Sequence, residues 1–220
     1  MLNVIHNQNS KKFAQGCGFY KLFWIFMIGA FIGDFLETYF CLIVTGTWMN
    51  RSSVVWGNLS IIWGGALVLA TISLYSIREK SCRYIFLIGT LLGGIYEYLC
   101  SLFTELIFGR TFWDYDKIPF NINGRTNLLY CFFWGIVAVI WIKMIYPTLS
   151  KCIEKISVLL GTCMTWLLII FLITNITISS LALIRYNTRN AGLSATKRWE
   201  KEMDKFFDNQ TIEKIYPNIQ

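Results

Sequence analysis

The sequence predicts an all-α membrane protein: five transmembrane helices, with spans one and two repeated in parallel by spans three and four, and an amphipathic C-terminal tail. Three observations predict it. Only 15% of the 220 residues are charged, against about 25% in a soluble domain, while 55% are hydrophobic and mean hydropathy is +0.49. Apolar stretches long enough to cross ~30 Å of hydrocarbon, about 20 helical residues each, recur along the chain. A glycine–glutamate pattern occurs twice, sixty residues apart. Such a chain is neither a soluble enzyme, a DNA-binding module nor a disulfide scaffold.

In chain order, residues 1–19 are a polar leader that carries the single histidine, His6. The apolar run behind it continues far past a short h-region with no small-residue cleavage site, so a cleavable signal is not expected. Spans follow at about 20–45, 59–77, 84–108, 127–146 and 156–184. Helices are expected because lipid offers backbone groups no outside partner. The four-helix repeat core is 20–146, with long polar loops at 46–58 and 109–126, and the fifth helix falls within 147–185. Loops that long usually have a task, and their tryptophans and tyrosines argue against disorder. The surface tail is 186–220, where Trp199, Met203, Phe206 and Phe207 lie at helix spacing among charges over 196–207. That pattern suits an amphipathic helix in the interface or a cap over the loops.

Basic residues set the orientation. Lys11, Lys12, Lys21, Arg78, Lys80, Arg83, Lys143, Lys151 and Lys155 flank one side, and Arg51, Arg110, Lys117 and Arg125 the other. The positive-inside rule puts the N-terminus in the cytoplasm, although the tail's basic residues pull the other way. The net charge of +7 arises at segment ends, not along a basic face interleaved with aromatics, so nucleic acid is not an expected partner. The bilayer is. The seven cysteines, Cys17, Cys41, Cys82, Cys100, Cys131, Cys152 and Cys163, are scattered, and no clustered N/S set for zinc exists. No metal or cofactor is expected in this chain.

Span one reads Gly29-x-x-x-Gly33-x-x-x-Glu37-Thr38 and span three Gly89-x-x-x-Gly93-x-x-x-Glu97-Tyr98. Each leads through a polar loop ending in arginine, Asn50-Arg51 or Gly124-Arg125, into a helix carrying Trp63-Gly64 or Trp134-Gly135. Parallel repeats of this kind are common in transporters, with the site at the repeat interface. Residues four apart share a helix face, so each glutamate lies on its glycine stripe, Glu97 being followed by Ser101 and Glu105. Helix packing is the simpler account of the glycines. The glutamates differ, because a charge at mid-membrane costs about 2.5–3.5 kcal/mol and normally faces a cavity or a partner. The expected site is an outward-facing polar pocket walled by Glu37, Glu97, Ser101 and Glu105, with Asp34 nearby and Arg51 and Arg125 at its rim. Asn50, Trp113, Asp114, Asn121 and Asn123 of the loops complete the candidate substrate-binding set. Structural salt bridges that lock the bundle are the competing account. No phosphate loop, nucleophile elbow or zinc-protease signature is present, so no ATPase or hydrolase motif marks this chain and no catalytic residue is assigned.

Several pieces together resemble the CmpB-like family of ABC-transporter permeases, small multi-pass bacterial membrane proteins. They are Gly33-x-x-x-Glu37-Thr38, Gly46-x-x-x-Asn50-Arg51, Trp63-Gly64, Glu97-Tyr98-x-x-Ser101-x-x-x-Glu105, Trp113-Asp114-Tyr115 and Pro119-Phe120-Asn121-x-Asn123-Gly124-Arg125. The resemblance covers about 22–146, and weakly Tyr216-Pro217-Asn218. Where the family tends to carry prolines at the entry to span two, this chain has Trp56-Gly57-Asn58 and Ile61-Ile62-Trp63-Gly64. The resemblance implies a permease-like subunit in the bacterial plasma membrane, with ATP entering only through a separate ATPase subunit. Read from the residues alone, an outward polar site also suits an intramembrane enzyme acting on a lipid-linked or small polar substrate, or a ligand-binding membrane sensor. Assembly with further copies of the chain stays open.

Overall fold

The protein is described here by a computed structural model covering residues 12–217 and 219. Its helices are α1 (Phe19–Thr45), α2 (Ile61–Tyr75), α3 (Cys82–Phe108), α4 (Leu128–Ile140), α5 (Tyr146–Glu154), α6 (Val158–Asn190), α7 (Arg198–Phe206) and α8 (Asn209–Ile215). Strands β1 (Asn121–Ile122) and β2 (Thr126–Asn127) pair antiparallel in the second polar loop. The chain is thus an all-α membrane protein, with four helical stretches among the described residues long and apolar enough to cross a bilayer: 19–45, 82–108, 128–154 and 158–190.

Two boundaries differ from expectation. The helix expected at 59–77 is the 15-residue α2, about 22 Å long and short of ~30 Å of hydrocarbon. The residues before it are not helical, because Ser52 gathers them into a tight loop: its Oγ lies 2.9 Å from the carbonyl oxygens of both Val54 and Gly57. The stretch expected to end near 146 runs on to Glu154 through a π-helical turn at Trp141–Ile145. Pro147 explains that turn. It has no N–H for the Lys143 carbonyl, and the ladder shifts to the wider spacing, with the Tyr146 N–H reaching the Trp141 carbonyl.

Local chemistry sets the other helix ends. Ser60, Ser81 and Ser157 cap α2, α3 and α6 through their side chains, and Asn127 caps α4, each satisfying a backbone N–H that helix geometry leaves free. Helices α1 and α3 both stop at a left-handed glycine, Gly46 (φ 71°) and Gly109 (φ 62°), a conformation most side chains resist.

Packing is tight where glycine meets tryptophan. A Cβ on Gly33 would lie 2.2 Å from the Trp63 Cβ, and one on Gly93 2.2 Å from the Trp134 Cβ. On α3 the residues Ile85, Gly89, Gly94, Glu97 and Ser101 are buried, while Leu87, Leu91, Ile95, Leu99 and Phe103 are exposed, as a lipid-facing stripe would be. An apolar core at the end away from the polar loops joins Ile25, Leu74, Ile85, Trp141, Ile142 and Ile153. Lys21 is fully buried beside it, donating to the Ser150 carbonyl (2.9 Å) and to Glu154 (2.7 Å). A lysine counted as an orientation signal is therefore also a structural ion pair. A second core holds the tail: Leu183 and Tyr186 of α6 pack with Phe207, Ile212 and Tyr216, and with Val55 and Phe112 of the two polar loops.

Candidate functional site

Both polar loops and the tail gather at one end of the bundle, around the ends of α1 and α3. Glu37, on the last third of α1, accepts from Arg51 Nε at 2.8 Å and Nη2 at 2.5 Å, and from the Trp63 indole at 3.0 Å. Glu97, buried on α3, accepts from the Tyr115 hydroxyl at 2.9 Å and from Thr126 Oγ1 at 2.8 Å. Burial, and the Glu97 carboxylate beside it, push the Tyr115 phenol above the usual range, so it stays a donor. Tyr115 also stacks on Tyr130 with centroids 4.7 Å apart. The Trp63 and Trp134 rings meet at 5.1 Å, each seated on the glycine one turn before its glutamate.

The two arginines behave differently. Arg51 holds Glu37. Arg125 does not turn toward Glu97; its Nη1 reaches Ser101 Oγ at 3.3 Å, and its other terminal nitrogen pairs with Glu105. The reason is crowding, because Tyr115 and Thr126 already occupy the Glu97 oxygens, whereas Glu105 lies nearer the helix end and its side chain is 45% exposed.

Other candidates build the loops themselves. Asn50 Oδ1 accepts from the Ser52 N–H at 3.0 Å. The Trp113 indole donates to the Arg125 carbonyl at 2.9 Å. Asp114 accepts the Asp116 N–H at 2.8 Å, and Asn121 ties the Ile118 carbonyl (2.8 Å) to the Gly124 N–H (3.0 Å). Asn123 donates to the Tyr98 hydroxyl at 3.2 Å. The loop motif therefore reads as a self-bonded turn with inward main-chain contacts. A cavity of about 630 Å³ lies at the opposite end of the bundle, bordered by Tyr75, Arg78, Lys143, Tyr146 and Lys151.

A family model described as "Putative ABC-transporter type IV" matches residues 24–180. The chain belongs to this family. The match runs from α1 into α6 and takes in both polar loops, while α7 and α8 lie beyond it. No curated protein and no solved structure matches the chain.

Four residues outside the expected set also order the site. Tyr115 and Thr126 bind Glu97. On α6, the buried Asn175 donates to the Trp56 carbonyl at 2.7 Å and accepts its N–H at 3.2 Å, while Ser179 accepts the Val55 N–H at 2.9 Å. Asn175 and Ser179 are four apart on one helix face, and that spacing of polar residues in an apolar span was the available signal. Asp34 is the other. It is fully buried on α1, and neither carboxylate oxygen has a hydrogen-bond partner among the described residues.

Proposed function

We propose that this protein is the membrane-embedded, permease-like subunit of a transporter powered by a separate ATPase subunit, and that the Glu37–Glu97 cluster lines the path of a polar substrate. Family membership supports the transporter setting. The matched placement of the two carboxylates carries the site. Each lies four residues past a glycine that packs on a tryptophan, at an offset of sixty residues between α1 and α3. That correspondence supports a parallel repeat, α1–α2 and α3–α4, with the contacting Trp63 and Trp134 rings at its interface. On this reading α2 and the loop before it together make a fifth crossing, since backbone without helical bonds is tolerated at membrane depth when protein groups satisfy it. The end with Lys21, Arg78, Lys143 and Lys151 then faces the cytoplasm.

Opening the site means exchanging Arg51, Tyr115 or Thr126 for substrate groups, which suits alternation between closed and loaded states. The test is affinity purification of the full chain from native membranes, followed by ATP hydrolysis measured in nanodiscs. A co-purifying ATPase is expected, with substrate-stimulated hydrolysis lost in Glu97→Gln. Chemical turnover by the purified chain alone would make it an enzyme, and ligand binding without an ATPase or turnover would make it a sensor.

A further inference from the structure

Asp34 is a fully buried carboxylate with no hydrogen-bond partner among the described residues. The charged groups that bear on it are Glu37 of its own helix and Arg51 of the loop, and the Asn58 side chain lies near enough to favour the carboxylate although it completes no hydrogen bond of regular geometry to either oxygen. Arg51 is already committed to Glu37, so that pair brings no net positive charge. From the other elements nothing ionisable arrives among the described residues: the first turn of α2 is Ile61-Ile62-Trp63-Gly64, and α6 presents Asn175 and Ser179 to the loop. One turn before Asp34, the Ala30 carbonyl accepts the Ser60 N–H at 2.9 Å, and Ala30, Val54 and Leu59 form a small apolar core. The loop 51–60 therefore sits over Asp34, with Val54 and Leu59 packed on Ala30 and Asn58 beside the carboxyl group.

We propose that Asp34 is a proton-binding site, holding one proton while loop 51–60 is seated on α6 and releasing it to water when the loop lifts. A buried ionised carboxylate with no completed hydrogen bond is far costlier than the neutral acid, so the group binds a proton rather than stand charged. A metal cation is the poorer occupant. Hard cations need several oxygen ligands, and no cluster of three or more acidic, cysteine or histidine residues able to hold one exists among the described residues. The route out is short, because Gly57 and Asn58 on the same loop are exposed. The inference stands on the burial of Asp34 and does not require the carboxylate cluster to carry substrate.

The experiment is infrared difference spectroscopy on the full chain in nanodiscs, with hydrogen exchange of the 52–60 amides followed over the same pH range. At neutral pH a protonated carboxylic-acid carbonyl band, shifted in heavy water, is expected in the wild type and lost in Asp34→Asn. On alkalinisation that band should disappear with the midpoint at which the loop amides lose protection, after correction for intrinsic exchange. Asp34→Asn, an uncharged mimic of the acid, should keep its loop protected throughout. Absence of the band at neutral pH overturns the proposal, as does an unchanged band in Asp34→Asn or a loop response that this substitution leaves intact. Sodium-dependent protection of the loop that vanishes in Asp34→Asn would make it a cation site and also overturns it. If Asp34→Asn does not fold, the wild type alone decides: coincident midpoints for band and loop support the proposal, and separate midpoints refute it.

Discussion

Trp63 and Trp134 meet at a tilt with their ring centroids 5.1 Å apart, and each closes over a glycine of the neighbouring helix that has no room for another carbon. The expected consequence is steric. Gly33→Ala and Gly93→Ala each place a methyl 2.2 Å from a tryptophan Cβ, and overpacking of this kind costs about 1–3 kcal/mol. Thermal unfolding in detergent should show similar losses for the two variants. A loss confined to one would count against the proposed repeat.

The ion pairs should be unequal. Arg51 and Glu37 are mostly buried, at 13% and 27% side-chain exposure, and Arg51→Ala leaves the carboxylate with the Trp63 indole alone. A stranded, partly buried charge costs about 1–3 kcal/mol. Glu105 is 45% exposed, and exposed pairs are worth about 0–1 kcal/mol. Arg51→Ala should therefore lower the unfolding midpoint clearly, with Glu105→Ala and Lys117→Ala close to wild type.

At Glu97 the two hydroxyl donors are separable. Tyr115→Phe and Thr126→Val each remove one hydrogen bond to a buried carboxylate, with a loss of about 1–3 kcal/mol apiece. Tyr115→Phe keeps a ring to stack on Tyr130, so a null effect would show that the hydroxyl is dispensable. A double-mutant cycle read by unfolding should reveal coupling, since the two share one acceptor.

Much of this could be read in the sequence, for identifiable reasons. Long apolar runs dictate helices in lipid, so the stretches near 20–45 and 84–108 fall within two residues of α1 and α3. Glu37 and Arg51 are close along the chain and opposite in charge. The Glu97 partners were harder, because Tyr115 and Thr126 are neutral and look like ordinary loop residues until a strand pair folds them back. For Asn175 the four-residue spacing to Ser179 marked a polar face on an apolar span, but its partner lies 119 residues away, and nothing local names what that face clamps. The short α2 was hidden too, since Leu59 and the residues behind it are apolar enough to pass as helix while Ser52 folds them into a loop.

The tail should respond to acid. Arg185, hydrogen-bonded to Asp204, holds that carboxyl below the usual carboxylate range, with Arg189 adding to it. A depressed folded-state value means stability that is present above about pH 4, the unfolded value, and lost as pH falls through the folded one. Protease cleavage near residue 195 should therefore rise on acidification. Asp204→Asn should show it already at neutral pH.

The Asn175–Trp56 clamp also dictates an order of assembly. The main-chain groups it satisfies emerge from the ribosome 119 residues before their partner, a wait of roughly 6–24 s at about 5–20 residues per second. During that time loop 51–60 has no final place to settle, however early α1 and α2 enter the bilayer. The first hairpin is then necessarily provisional, and synthesis stalled before α6 should leave a chain that quality-control proteases recognise at that loop.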